Sequence, residues 1–307
     1  MWLNILQGTI EQGLVFSLLA MGVYLTFRIL DFSDLTVEGS FPLGASVAAV
    51  LIINGMNPFL ATFFAFIAGA LAGMITGLIN TKLKIAGLLA GILTMTSLYS
   101  INLRIMGRSN IPLLRETTIL TAIENWGLSE RFVALVVFAV IVLLVKLMLD
   151  YFLYTEIGMS VRAAGDSPLM IESLGVNTDR IKIFGLAMAN GLVALSGALT
   201  CQYQGFADVG MGIGMIVIGL ASVIIGEVVI RTSKIRFATL GVIVGSIIYR
   251  LAIALALQLG FAATDLKIVT AVLVILALGA PSLRSFMIQD EFAARLMERG
   301  ASDAQAK

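Results

Sequence analysis

Thr155 to Lys182 reads TEIGMSVRAAGDSPLMIESLGVNTDRIK, a hydrophilic interruption between two long apolar runs. The runs on either side suit lipid, whereas this stretch suits water, and the contrast sets the architecture. Ser167 before Pro168 predicts an N-cap followed by proline at the first helical position, where its missing N–H costs nothing. Gly175 supplies a left-handed stop. Between them, Leu169 to Leu174 gives fewer than two turns, too few to persist unless packed on something. Upstream, Ile157 to Ala164 predicts a first short helix ended by Gly165, with Arg162 projecting to water. Asn177 is placed to cap the next long helix, which Ile181 opens. Two readings stand for this pair of short helices: a solvated connector between spans, or a knob gripped by a partner.

Composition supports the contrast. Of 307 residues, 59% are hydrophobic and 13% charged, and the mean hydropathy is +1.01. So much apolar surface exceeds what one soluble core could hide, which predicts an all-α, polytopic transmembrane bundle. Thirty glycines against five prolines suit helices that approach closely through small residues. One cysteine and no histidine exclude an intrachain disulfide and make a poor set for zinc or haem. The net charge of +1 gives no reason to expect nucleic acid. The first apolar run lacks a basic leader and a clear cleavage site, so it reads as a retained span.

Taken in order, Leu14 to Leu30 makes a first span ending in Arg28. Asp31 to Gly39, DFSDLTVEG, carries three carboxylates and runs straight into Ser40 to Asn54, a short apolar segment broken by Pro42 and Gly44. Irregular backbone at membrane depth is tolerated only against protein or water, so Asp31 to Gly44 either lies partly inside the bilayer or is an ordinary loop capping a helix. Pro58 to Asn80 spans, with Gly69, Gly73 and Gly77 on one face as a packing seam. In the next span, Thr94 to Ser100 reads TMTSLYS, hydroxyls expected to bond between helices, the alternative being a lining of hydroxyls along a translocation route. Ile105 to Arg131 forms a long loop with Trp126 suited to the interface belt, and Phe132 to Leu153 leads to the knob. After Ile183 to Tyr203, Gln204 to Glu227 is dense in glycine at its start, so a second break is expected there before a helix over Ile216 to Ile230. Glu227 and Arg231 have the spacing of a helix-end ion pair. Phe237 to Leu257 spans with Arg250 inside it, for which Asp208 or Asp265 is a partner by position. Leu266 to Ala280 makes the last span, and a polar tail occupies 284–307.

Breaks in corresponding places of two halves point to a transit site between them. That logic selects Thr36, Glu38, Ser40, Phe41 and Gly44 on one side, Gly210, Gly212 and Gly214 opposite, and Arg250 as an intramembrane charge. With the knob on the cytoplasmic side, roughly nine crossings, within a range of about 8–10 spans, put the N-terminus outside and the C-terminus inside. Fourteen of the twenty Lys and Arg residues then fall on the cytoplasmic side, as the positive-inside rule requires.

The knob also carries a resemblance. Gly158, Arg162, Ala163, Gly165 and Asp166, followed by Ser173, Leu174, Gly175 and Val176, resemble the cytoplasmic coupling segment of ABC-importer permeases of the branched-chain amino acid and ribose permease superfamily. The similarity runs from about Gly13 to Leu283, and QGFADVGMGIG (Gln204 to Gly214) resembles a subfamily of tryptophan and tyrosine import permeases. It implies one transmembrane permease domain over 1–307 in a bacterial cytoplasmic (inner) membrane. It also implies a coupling segment at 155–180 in which Gly158, Arg162, Ala163, Gly165, Asp166, Ser167, Pro168, Leu174 and Gly175 meet an ATPase. Expected partners are ABC ATPase subunits, an extracytoplasmic substrate-binding protein, a second permease copy and the lipid bilayer. The chain holds no GxxxxGK[ST] motif, so ATP and its magnesium are expected on the separate subunit and no cofactor on this one. An ion-coupled secondary transporter or channel is the alternative, weakened by the scarcity of carboxylates in the main spans. An intramembrane enzyme is disfavoured, because no histidine base, metal set or Ser–Lys pair stands out.

Overall fold

A computed structural model describes residues 2–124, 130–232, 234–262, 265, 268–272 and 274–275. The architecture is a bundle of long helices: α1 (Trp2–Val23), α2 (Val37–Ile53), α3 (Pro58–Lys82), α4 (Gly87–Met106), α6 (Glu130–Tyr154), α9 (Thr178–Gln204), α10 (Met215–Val229) and α11 (Ile235–Gln258). Among the described residues are also three short helices, α5 (Ile119–Glu124) between α4 and α6, and α7 (Glu156–Asp166) and α8 (Pro168–Ser173) in the interruption. Seven segments within the described residues are long and apolar enough to cross a membrane, and α2 is a shorter apolar helix among them. The expected last span at 266–280 lies largely outside the described residues, as do Trp126 and the tail 284–307.

Local chemistry accounts for the boundaries. Asn57 accepts from the Phe59 N–H at 2.9 Å ahead of Pro58, a capped start for α3. Gly107 (φ 68°) and Gly205 (φ 77°) end α4 and α9 in the left-handed conformation. The last turns of the first span, Tyr24–Ile29, are π-helical, and the Leu30 N–H reaches back to the Leu25 carbonyl at 3.0 Å. Such a bulge shifts the face that the following residues present.

α9 is the axis of the bundle, packed by α1, α2 and α3. The glycine seam of α3 lies on it: a side chain at Gly69 would strike Ala194, one at Gly73 the Leu186 carbonyl, and one at Gly77 Ile183. The order of these contacts makes α3 antiparallel to α9. α2 runs the other way, with Ser40 level with Asn190 and Ala45 level with Cys201. α2 therefore begins near the middle of α9, and the chain from 31 to 36 covers the remaining depth without a helix. On the far flank α10 and α11 pack through Gly226 and Gly241, and α6 carries a buried pair of its own, Lys146 Nζ to Asp150 Oδ2 at 2.6 Å. Asp150 Oδ1 also accepts from Thr239 of α11 at 2.6 Å. Two ends follow. One carries α7 and α8, with Gly165 against the Ile29 carbonyl. The other carries α5 and a two-stranded ladder, β1 (Asn110–Pro112) antiparallel to β2 (Phe206–Asp208).

Candidate functional site

The two breaks meet. Asp31 turns the chain at φ 49°, and residues 31–34 then run without regular structure into the bundle to a turn at 35–36. Asp34 is 2% exposed; its Oδ1 accepts from the Thr36 N–H at 2.9 Å and its Oδ2 from Asn190 Nδ2 at 2.6 Å. Asn190 Oδ1 in turn accepts from Ser40 Oγ at 2.7 Å, while the Thr36 and Thr76 hydroxyls pair at 2.8 Å. A buried carboxylate is costly unless hydrogen-bonded, and this network fixes the broken segment to α9 and α3. Pro42 inside α2 has no N–H to give the Glu38 carbonyl one turn back. Gly212, in a 3-10 turn at Val209–Gly212, lies against that carbonyl so closely that a Cβ would collide. Gly214 (φ 84°) then donates its N–H to Glu38 Oε1 at 3.0 Å. A cleft of about 220 Å³ opens between α2, α4 and this turn, bordered by Glu38, Pro42, Met95, Tyr99, Asn102 and Ile213 among others.

At the opposite end, the knob has two faces. Val161, Ala164 and Ile171 are buried, the first two packed with Leu30 and Ile181. Leu169, Met170 and Leu174 are 81%, 61% and 68% exposed, an apolar tip without cover in the single chain. A polar cavity of about 560 Å³ lies beside the inner-face contact, bordered by Tyr24, Arg28, Arg162, Asp166 and Glu227 among others. Arg28 and Glu227 bridge it at 2.8 Å.

A family model described as the branched-chain amino acid transport system permease component matches residues 5–278. The chain belongs to this family of ABC-importer permeases. The permease is 45% identical over 276 residues to a tyrosine transport system permease protein of Clostridioides difficile, covering 90% of this chain and 91% of the relative. It is 26% identical over 257 residues to a ribose import permease protein of Haemophilus influenzae, covering 80% and 74%. A solved structure described as an inward-facing conformation of a metal-chelate type ABC transporter shares the fold, with a TM-score of 0.50 at 16% identity over 92% of this chain and 85% of that one. The permease is thus a multi-pass membrane protein, and its relatives are transport components rather than enzymes.

Within the permease, Glu38 meets Gly212 and Gly214 where the breaks come together, whereas Thr36 and Ser40 face α3 and α9, bonded to Thr76 and Asn190, and Gly210 sits against Asp208. Phe41 and Gly44 point elsewhere. Phe41 is fully buried and stacked on Phe16 at 5.9 Å, and Gly44 is pressed on the Ala194 carbonyl, because α2 turns this face to α1 and α9. Arg250 does not border the cleft. Its guanidinium lies 3.8 Å from the Phe16 ring centroid, and Asp208, a suggested partner, is engaged by Asn110 and the Gly210 N–H. The expected Glu227–Arg231 pair is replaced by Glu227–Arg28, since α10 ends at Val229 and carries Arg231 off the helical face.

The knob corrects three readings as well. α7 continues through Gly165, which serves close approach to α1 rather than termination; the helix stops at Ser167, in extended backbone with no side-chain cap bond. Arg162 is half-buried along the polar cavity instead of projecting freely. Gly158 is pressed on the Phe152 carbonyl, while the half-buried Ala163 gives its carbonyl to the Ser167 N–H at 2.9 Å. Pro168 opens α8, Gly175 takes φ 82°, and Asn177 accepts from the Arg180 N–H at 3.0 Å, each as expected. In α4 the hydroxyls of Thr94, Thr96 and Ser97 bond to carbonyls of their own helix, not to neighbours. Sequence reasoning missed Asn190, Thr76 and Asn102. A lone amide in mid-span was the available signal, because lipid tolerates one only when it has partners.

Proposed function

We propose that the permease forms the translocation pathway of an importer for a small amino acid-like solute, aromatic in its side chain. The solute is handed over by an extracytoplasmic binding protein, and separate ATPase subunits in the cytoplasm supply the work. Two copies of the chain face each other across a two-fold axis in the bacterial inner membrane, each presenting its cleft to the pathway. The C-terminus lies in the cytoplasm. The observation that carries this reading is the knob. Its inner face is locked to Ile29 and Leu30, at the end of the first span, by Val161, Ala164 and Gly165, and its outer face offers Leu169, Met170 and Leu174 with nothing over them.

An ATPase that grips the outer face moves the inner one, and Gly165 passes that motion to Ile29 and Leu30. Asp31 to Thr36 follows directly, so a displacement at the knob reaches the Asp34–Asn190 network within a few residues. The 45% identity to a tyrosine transport permease supports an aromatic amino acid as solute. The test is Leu169→Glu combined with Met170→Glu, exposed changes that leave the bundle's packing alone. The ATPase encoded with this permease should no longer co-purify with the double variant, which should still insert and unfold at the wild-type temperature. Full retention of the ATPase would overturn the coupling role.

A further inference from the structure

The polar cavity at the knob end is lined from three parts of the chain. Tyr24 and Arg28 come from the end of the first span, Arg162 and Asp166 from α7, and Glu227, Ile230 and Ile235 from the passage between α10 and α11. Most of its open wall is polar, and it holds charges of both signs. Arg28 and Glu227 are bridged. The half-buried Arg162 and the exposed Asp166 stand one turn apart on α7, the spacing of a helical ion pair. Among the described residues neither has an ion-pair or hydrogen-bond partner. Tyr24 is 5% exposed, and its hydroxyl likewise bonds to no described residue, although Glu227, Arg28 and Arg162 are close enough to act on it. A guanidinium offers only donors and a carboxylate only acceptors, so a small molecule that satisfies both must carry an anion and an ammonium close together.

We propose that this cavity binds an α-amino acid zwitterion that enters from the cytoplasm. Its carboxylate lies on Arg162 and the Tyr24 hydroxyl, its ammonium on Asp166 and Glu227, and its side chain along Ile230, Ile235 and Ala238. The two charges of a zwitterion sit on one carbon, and residues spaced as Arg162 and Asp166 are have Cβ atoms about 5–6 Å apart, so a single small molecule reaches both. The volume of about 560 Å³ is that of a small-ligand site. The inference rests on the amino acid reading above and extends it from passage to regulation. Arg162 and Asp166 belong to the knob, Glu227 and the isoleucines to the spans. A ligand held by both ties the knob to the spans and resists its movement, so solute that has accumulated inside slows its own import.

The test uses the assembled permease–ATPase complex carrying Thr232→Cys, an exposed position bordering the cavity, in phosphatidylcholine nanodiscs without binding protein. Cys201, the native thiol, is buried, so maleimide labelling reports position 232. L-Tyrosine, L-tryptophan, L-phenylalanine and L-leucine are each tried as protectants, and at least one should slow the labelling. Tyramine, which lacks the carboxylate, and 3-(4-hydroxyphenyl)propanoate, which lacks the ammonium, should not. Arg162→Gln and Asp166→Asn break no bond of the unliganded protein, and each should raise the amino acid concentration for half-protection by at least about tenfold. In wild-type proteoliposomes with ATP inside and binding protein outside, preloading the same amino acid should cut initial uptake by half or more. No protection by any of the four, equal protection by either analogue, protection unchanged in the two variants, or uptake undiminished by preloading would overturn the assignment. So would slow labelling that added phosphatidylethanolamine produces and no amino acid increases, which would give the cavity to a lipid headgroup with the same two charges. The Leu169→Glu, Met170→Glu chain keeps the cavity and should show the same protection without its ATPase, so the two readings fail separately.

Discussion

Asn190 satisfies two partners at once. It donates to Asp34 and accepts from Ser40, so its amide joins the interior carboxylate to the first turn of α2. Leucine has the same number of side-chain heavy atoms in the same branched arrangement and neither polar group. Asn190→Leu should therefore lower the stability of the detergent-solubilised permease by about 3 kcal/mol, the cost of two buried polar groups left without partners. Asn190→Asp should be worse, because it sets a second carboxylate against Asp34. Thermal unfolding read by tryptophan-independent dye binding ranks the two, and an unfolding temperature unchanged in either would remove the network from the account of stability. At this scale little was legible in advance. Asp34 stood out as an acidic residue, but Asn190 lies 156 positions away, and nothing local in either stretch announces the other.

Helix contacts behave differently, because the spacing of small residues is itself a local signal. The seam of Gly69, Gly73 and Gly77 could be read as a contact face, and it packs on α9 at backbone distance. Gly73→Ala should thus destabilise the protein by at least about 2 kcal/mol, since even one methyl meets the Leu186 carbonyl and α3 must move away. Gly8→Ala is the contrast. Its new Cβ would stand 3.7 Å from the Tyr203 hydroxyl, an ordinary contact, and α1 would gain up to about 1 kcal/mol from alanine's better helix propensity. Unfolding temperatures of the two variants should move in opposite directions. The knob was legible for the same local reason: Pro168, Gly175 and Asn177 act within three or four residues. Gly165 was misread because its role is a tertiary contact with α1, which the same glycine signal does not distinguish from a stop.

For the whole molecule, the two broken stretches were visible as departures from helix chemistry, and their meeting followed from the idea of paired interruptions rather than from any shared wording. What the chain did not disclose was which residues of each break point into the cleft, since α2 rotates Phe41 and Gly44 away from it. The sidedness of the bundle is open to a direct check. Cys201 is the only thiol and is fully buried, so an introduced cysteine is labelled against little background. Met170→Cys, on the exposed tip of α8, should react with a membrane-impermeant maleimide only in inverted vesicles. Leu114→Cys, 84% exposed beyond β1, should react only in intact cells stripped of their outer layers. The exchanged pattern would reverse the arrangement of the entire molecule, and labelling of both from one side would put its two ends on one face.

The small ladder of β1 and β2 stitches the segment before α5 to the approach of α10, reinforced by Leu113 to Gly205 at 2.7 Å and Val209 to Ser109 at 3.0 Å. Val209 begins the turn that rests on Glu38. A load placed on this end of the bundle thus reaches the Glu38 carbonyl through one short run of chain, from the ladder through Val209 to Gly212.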